Sequence, residues 1–271
     1  MQPLCDDYFR ELEGRRGAPA AVVNQAVRAY LDAARVHLLE RHDAGTPARS
    51  VNEEHSDLVD RLVRKLFRLA EDTYFEQNPR LRSFRLAVVA TGGYGRRELA
   101  LASDVDLLFL HRGKPNPYVE TITESITHRF WDARVAVAPA TRTLADSLRV
   151  GREDVPTLTS YLDARFLIGD PGLFAELDRE VRKEVRGDPH GFIEKKLAER
   201  ARRHARFGES PFLLQPNVRE AVGGLRDYQT ALWIARAVQW EVRRPEHLLL
   251  HGFLDPLELE ELVRALDFLW R

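Results

Sequence analysis

The stretch Ala90-Thr91-Gly92-Gly93-Tyr94-Gly95-Arg96-Arg97-Glu98-Leu99, followed by Ser103-Asp104-Val105-Asp106-Leu107-Leu108-Phe109-Leu110, decides the reading of this chain. It is preceded by Phe84-Arg85-Leu86-Ala87-Val88-Val89-Ala90, a short apolar run that reads as a buried strand. Two glycines directly after a strand allow a sharp turn and a close approach of backbone to ligand. A short helix after the turn offers N–H groups as a phosphate seat, with Arg96 and Arg97 adding positive charge beside it. The second run, Val105 to Leu110, is apolar nearly throughout after Asp106 and reads as a strand central in a sheet.

Side chains alternate across a strand, so Asp104 and Asp106 point to one face, their Cα atoms roughly 6–7 Å apart. Such a carboxylate pair suits divalent ions about 3.5–4 Å apart, the two-metal arrangement of phosphoryl and nucleotidyl transfer. Mg²⁺ fits hard oxygen ligands and substrate phosphates. Gly-Gly alone is a common turn and Asp-x-Asp alone a common strand end. Their order, with strands around them, makes the chemical reading specific. A third carboxylate is expected from a neighbouring strand. Ala133 to Ala138 reads as a third strand, ended by Pro139, and positions 132, 134 and 136 share a face by the two-residue period, leaving Asp132 as the only acid. The expected metal set is therefore Asp104, Asp106 and Asp132, with Gly92, Gly93, Arg96 and Arg97 at the nucleotide. The alternative for Asp132 is a helix-end acid.

Outward from this unit the pattern is helical. Val23, Ala26, Val27, Tyr30, Leu31, Ala34 and Leu38 recur at helical spacing, as do Leu58, Val59, Leu62, Val63, Leu66, Phe67 and Ala70. Ser50 and Glu53 have capping-box spacing before the second stripe. Tyr118 to Trp131 fits a helix. After Thr141 the chain turns helical again, with turn signals at Gly169-Asp170-Pro171-Gly172 and Gly187-Asp188-Pro189. Asp255 and Pro256 read as the N-cap and first position of a last helix running to Arg271. That helix shows no stop signal, which suggests a piece of a longer protein. The expected organisation is a helical N-terminal region (1–82), a catalytic core (83–150) and a helical region (151–271), an α+β chain with a small mixed sheet.

The chain has 271 residues, 44% of them apolar, enough for a core. Its 41 basic and 42 acidic residues nearly cancel, which argues against a general nucleic-acid binder. One cysteine, Cys5, excludes a disulfide framework within the chain. No apolar run approaches the roughly 20 residues of a membrane span, and a cytoplasmic protein is expected. His42-Asp43 reads as a polar turn, not a metal site. Arg200, Arg202, Arg203 and Arg206 read as a solvated helix face, with a phosphate or partner patch as the alternative.

These motifs resemble a polymerase β-like nucleotidyltransferase, and more closely the protein-PII uridylyltransferase/uridylyl-removing family of nitrogen regulation. Its pattern Gly-Gly-Tyr-Gly-Arg-Gly-Glu-Leu, then Ser-Asp-Ile-Asp-Leu-Leu, is met by Gly92 to Leu99 and Ser103 to Leu108, with Arg97 where the family often has Gly. A second block, Leu214 to Gln229, resembles Glu-Pro-Asn-Ile-Lys-Glu-Gly-Pro-Gly-Gly-Leu-Arg-Asp-Ile-Gln, with Gln215 for Glu and Ala221-Val222 for Gly-Pro. Trp131-Asp132 and Arg142-Thr143-Leu144 form a weaker third match. The resemblance implies transfer of UMP from UTP, or from another nucleoside triphosphate, to a tyrosine of a PII-like signalling protein. It also implies a His-Asp domain and ACT domains beyond residue 271. Members often carry an acid where this chain has Ala136. That departure leaves open another substrate or a non-catalytic nucleotide-binding regulatory domain. In the second block, Gly223-Gly224-Leu225-Arg226-Asp227 reads as a turn starting a helix with Asp227 near its N-terminus. The alternative places Arg226 at the nucleotide phosphates.

Overall fold

The computed structural model describes residues 5–10, 19–78, 85–114, 116–207 and 217–270. They divide into two compact units: residues up to Val150 with Asp163–Asp178, and Gly151–Leu162 with Arg179 onward. The fold is α+β, with a four-stranded mixed sheet and helices around it.

The first unit opens with α1 (Cys5–Phe9), α2 (Ala20–Asp43) and α3 (Ala48–Gln77). The spacing of apolar residues decides which faces pack. Val23, Val27, Tyr30, Ala34 and Leu38 are buried on α2, and Leu58, Val59, Leu62, Val63, Leu66, Phe67 and Ala70 on α3. Each large side chain so buried contributes about 1.5–3 kcal/mol. The Tyr30 hydroxyl donates to the Leu58 carbonyl at 2.9 Å, fastening the two helices. The start of α3 differs from expectation: Pro47 is its N-cap, and Ser50 and Glu53 lie inside the helix. Pro47 at the boundary overrides the capping-box spacing, because proline sets φ and stops helix growth towards the N-terminus. His42-Asp43 closes α2 instead of lying in a turn.

Then come β1 (Leu86–Ala90), the single turn α4 (Gly92–Gly95), β2 (Val105–His111), α5 (Pro117–Asp132) and β3 (Val137–Thr143), followed by α6 (Leu144–Glu153), α7 (Val155–Leu162) and β4 (Arg165–Gly169). Phe84, the expected first residue of β1, is outside the described residues. The sheet order is β3-β2-β1-β4; β1 is antiparallel to β2 and β4, and β2 is parallel to β3. A parallel pair needs a crossover, and α5 supplies it. Its start is well specified: Asn116 Oδ1 accepts from the Val119 N–H at 3.1 Å, and Pro117 takes the first helical position. Leu86, Val88 and Ala90 share a sheet face with Val105, Leu107 and Phe109, and these join the core with α2, α3 and α5.

Two features correct the expected sheet. First, β3 begins at Val137, four residues later than expected, and continues through Pro139. The Val105 N–H donates to the Ala136 carbonyl at 2.9 Å. By alternation Ala136, Ala138 and Ala140 turn their peptide groups inward, so Pro139 faces outward on an edge strand and costs no ladder bond. Second, β4 was not anticipated; its Gly169 has a φ of +98°.

The second unit contains α7, α9 (Pro189–Phe207), α10 (Leu225–Val238), α11 (Pro245–Leu250) and α12 (Pro256–Trp270), and the boundaries with the first unit fall within α6 and within α8 (Pro171–Gly187). Gly187-Asp188-Pro189 separates α8 from α9 as expected. Asp255 caps α12, its Oδ1 accepting from the N–H groups of Leu257 at 2.8 Å and Glu258 at 2.9 Å. Arg271 lies outside the described residues. Leu232, Ala235, Val242 and Leu248 form a core cluster there. No described helix is long and apolar enough to cross a membrane.

Candidate active site

The glycine turn meets Asp106. β1 and β2 are antiparallel neighbours, with Ala90 opposite Leu107, so the turn leaving β1 stands over the start of β2. The Thr91 N–H donates to the Asp106 carbonyl at 3.1 Å. Gly92 takes a φ of +57°, and a β-carbon placed on it would stand 2.7 Å from Asp106 Oδ2. A residue with that carbon fits there only if the Asp106 carboxylate turns aside, and it would carry the strain of the left-handed φ. Asp104 is exposed just before β2, while Asp106 is half-buried on it. Gly93 closes the turn, its carbonyl accepting from the Glu98 N–H at 2.8 Å. The expected helix after the glycines is a single turn, too short to build a macrodipole; close backbone approach is what the turn offers.

The two arginines of the turn part ways. Arg96 points inward, with Nε 2.7 Å from Glu98 and Nη1 2.7 Å from Asp163. Burial works against its charge, and the two carboxylates more than restore it, so its pKa is raised. Arg96 thus braces the turn. Arg97 points outward, half-exposed, with Nη2 2.6 Å from Asp57. Its φ is +65°, a left-handed backbone, which explains the glycine that the family pattern carries at this position.

Sequence reasoning missed the residues beneath the turn. Tyr94 is fully buried, and its hydroxyl donates to Asp60 Oδ1 at 2.7 Å. Arg165 on β4 also binds Asp60, donating to Oδ1 at 3.0 Å and to Oδ2. Its guanidinium lies over the Tyr94 ring, 5.4 Å from the centroid. Arg64 adds a contact to Asp60 Oδ2 at 3.2 Å. A signal was present: Asp60 interrupts the apolar stripe of α3, and a charge on a core face demands partners. His55 Nδ1 is 2.9 Å from the Leu99 carbonyl, securing the far end of the turn to α3.

Asp132 is placed differently from the carboxylate pair. It is the last residue of α5, so the two-residue period does not apply to it. Ala133 to Ala136 form the link to β3, with Arg134 at a φ of +59°. The Asp132 carboxylate accepts from Asn24 Nδ2 at 2.5 Å, and its carbonyl accepts from Arg28 at 2.6 and 2.9 Å. Among the described residues, no group of three or more His, Cys, Asp or Glu side chains is placed to hold a metal ion. Asp104 and Asp106 remain as hard oxygen donors of the kind Mg²⁺ or Mn²⁺ takes, and Gly92 brings no side chain of its own against Asp106 Oδ2.

The second block is built around Asp227, near the start of α10. Asp227 Oδ1 accepts from Arg203 at 2.8 Å and sits 2.8 Å from His204 Nε2, while Oδ2 accepts from the Gly223 N–H at 2.9 Å. Burial pushes its pKa up, and these donors outweigh that, leaving it below the ordinary carboxylate value. Arg226 is engaged within the same unit, with Gln229 at 3.0 Å and Glu220 at 3.6 Å. Arg203, expected on a solvated face, is buried; Arg202 and Arg206 are exposed as expected. Leu214, Gln215 and Pro216 of this block lie outside the described residues.

Comparison with known proteins coincides with these two blocks. Residues 25–139 match a DUF294 nucleotidyltransferase model, and residues 191–271 match the GlnD PII-uridylyltransferase model. Over most of its length the chain is similar to proteins of the PII uridylyltransferase family. It is 43% identical over 225 residues to the bifunctional uridylyltransferase/uridylyl-removing enzyme of Cereibacter sphaeroides, covering 82% of this chain and 24% of that protein. The enzyme of the same description from Erythrobacter litoralis is 37% identical over 266 residues, 97% of this chain and 28% of the relative. That from Bradyrhizobium diazoefficiens is 38% identical over 271 residues, 98% and 28%. The chain thus spans about a quarter of the length of the curated relatives it matches.

Proposed function

We propose that this chain carries a nucleotidyltransferase that moves UMP from UTP to a tyrosine of a PII-type nitrogen-signalling protein. The observation that carries the proposal is the seating of Gly92 on Asp106 Oδ2, in a chain related to uridylyltransferases. Asp104 and Asp106 are the residues that would hold Mg²⁺ or Mn²⁺. When bound, one such ion or a pair supplies charge neutralisation at the triphosphate and a lower pKa for the attacking hydroxyl. The chain's own part is positioning. Gly92 and Gly93 let the triphosphate approach the backbone. Arg97, half-exposed, would meet phosphate charge, and Arg96 holds the turn that carries it.

The test is incubation of the full-length protein with labelled UTP, Mg²⁺ or Mn²⁺, and a PII protein. Label is expected on PII, and its loss is expected in Asp104→Ala and Asp106→Ala. A folded protein that binds UTP yet labels no PII under these conditions would sink the proposal. That outcome would favour a second reading, a nucleotide-binding regulatory domain, motivated by the seating of Asp132 on Asn24 and by Ala136 where the family pattern the chain resembles often has an acid.

A further inference from the structure

The buried Asp60 network continues past its ion pairs to the backbone of the glycine turn. Arg165 Nη2 donates to the Tyr94 carbonyl at 3.2 Å and its Nε to the Gly95 carbonyl at 3.4 Å. One guanidinium therefore grips a carboxylate on α3 and two consecutive carbonyls of α4. Those carbonyls belong to the turn whose first residue, Gly92, seats Asp106 Oδ2. Gly95 is itself packed so closely on the Asp163 carbonyl that no side chain fits, which leaves the turn little room to shift. Asp60 is 3% exposed, so its pairing is dry and directional. The planar fork of arginine makes this multiple grip possible; a lysine supplies one point charge instead.

We propose that Asp60 and Arg165 are positioning residues for nucleotide transfer: from α3 and β4 they set the peptide groups of Tyr94 and Gly95, and through them the placement of Gly92 against Asp106. This rests on the nucleotidyltransferase reading above. Neither residue reaches the substrate, and their action is on the geometry of the turn. Displacements of about 1 Å at a reacting centre can cost about a hundredfold in rate.

Two variants of the full-length protein test this while sparing the fold. Arg165→Lys keeps a cation opposite Asp60 but loses the carbonyl grip. Tyr94→Phe keeps the ring and removes only the hydroxyl contact to Asp60. UTP-dependent labelling of PII is measured well below each variant's unfolding midpoint, with kcat and KM separated. For Arg165→Lys we expect kcat/KM for UTP to fall about tenfold to a hundredfold. The KM for PII should stay unchanged, and the loss from Tyr94→Phe should be smaller. A variant with a lowered unfolding midpoint but the original kcat and KM for UTP would overturn the inference, because a structural brace alone behaves that way. If the unaltered protein transfers no label, the nucleotidyltransferase reading fails and this inference with it; if it does and Arg165→Lys matches it, the inference alone fails.

Discussion

Gly92 sits against Asp106 so tightly that a β-carbon on the glycine would stand 2.7 Å from the carboxylate oxygen Oδ2. The two residues are fourteen positions apart, and the antiparallel pairing of β1 with β2 brings them together. A residue at 92 therefore acts on position 106 directly.

Gly92→Ala should be harmful twice over. The left-handed φ of +57° costs a residue with a β-carbon about 1–2 kcal/mol, and the new carbon displaces Asp106. We expect a lower unfolding midpoint and a loss of about a hundredfold in UTP-dependent transfer. Transfer at the original rate in Gly92→Ala would refute the assigned role of this contact.

Position 97 separates backbone from side chain. Arg97→Gly removes the left-handed strain of about 1–2 kcal/mol, but loses the half-exposed pair with Asp57, about 0.2–1 kcal/mol, and adds freedom to the unfolded chain. Its stability should stay within about 1 kcal/mol of the parent. Arg97→Ala keeps the strain and loses the pair, so it should unfold before Arg97→Gly. Equal or reversed midpoints would show that φ at this position is relaxed. Both variants should raise the KM for UTP if Arg97 meets phosphate.

Asp132→Ala should leave transfer within a few-fold of the parent, in contrast to Asp104→Ala and Asp106→Ala. Its carboxylate serves Asn24 at the end of α5, and losing that contact should cost about 0.5–1.5 kcal/mol. Abolished transfer in a folded Asp132→Ala protein would restore it to the metal set.

His55 gives the chain a pH dependence. Burial holds its pKa below the ordinary 6.5, with the Leu99 carbonyl hydrogen bond offsetting part of that. Between its folded and ordinary values the unfolded chain binds the extra proton. The contribution to stability is therefore whole above about pH 6.5 and declines as the pH falls towards the folded value. Unfolding midpoints recorded from pH 7.5 to 5 should drop less steeply in His55→Gln than in the parent; identical slopes would assign the acid sensitivity elsewhere.

The elements that periodicity specifies were legible in the sequence. The stripes of α2 and α3, the apolar runs of β1 and β2, and the cap of α12 follow from local residues alone. The position of β3 did not, because Ala133 to Ala138, Arg134 apart, is small and apolar in either conformation, and pairing with β2, not local preference, selects Val137 as its start. β4 was hidden because five residues beside a turn carry little pattern; its pairing with β1 makes it a strand. In the candidate site, the meeting of Gly92 with Asp106 was readable from order and spacing. The opposite fates of Arg96 and Arg97 were not, since Asp163 and Asp57 lie far from them in sequence and close only in the fold.

Pro139 also has a meaning for the molecule's conduct in a crowded solution. Its outward-facing nitrogen carries no hydrogen, so a foreign strand laid along β3 would find a gap in the row of donors it must match. The edge nearest the carboxylates is thereby made a poor template for sheet extension, and self-association through that edge is disfavoured without any help from charge.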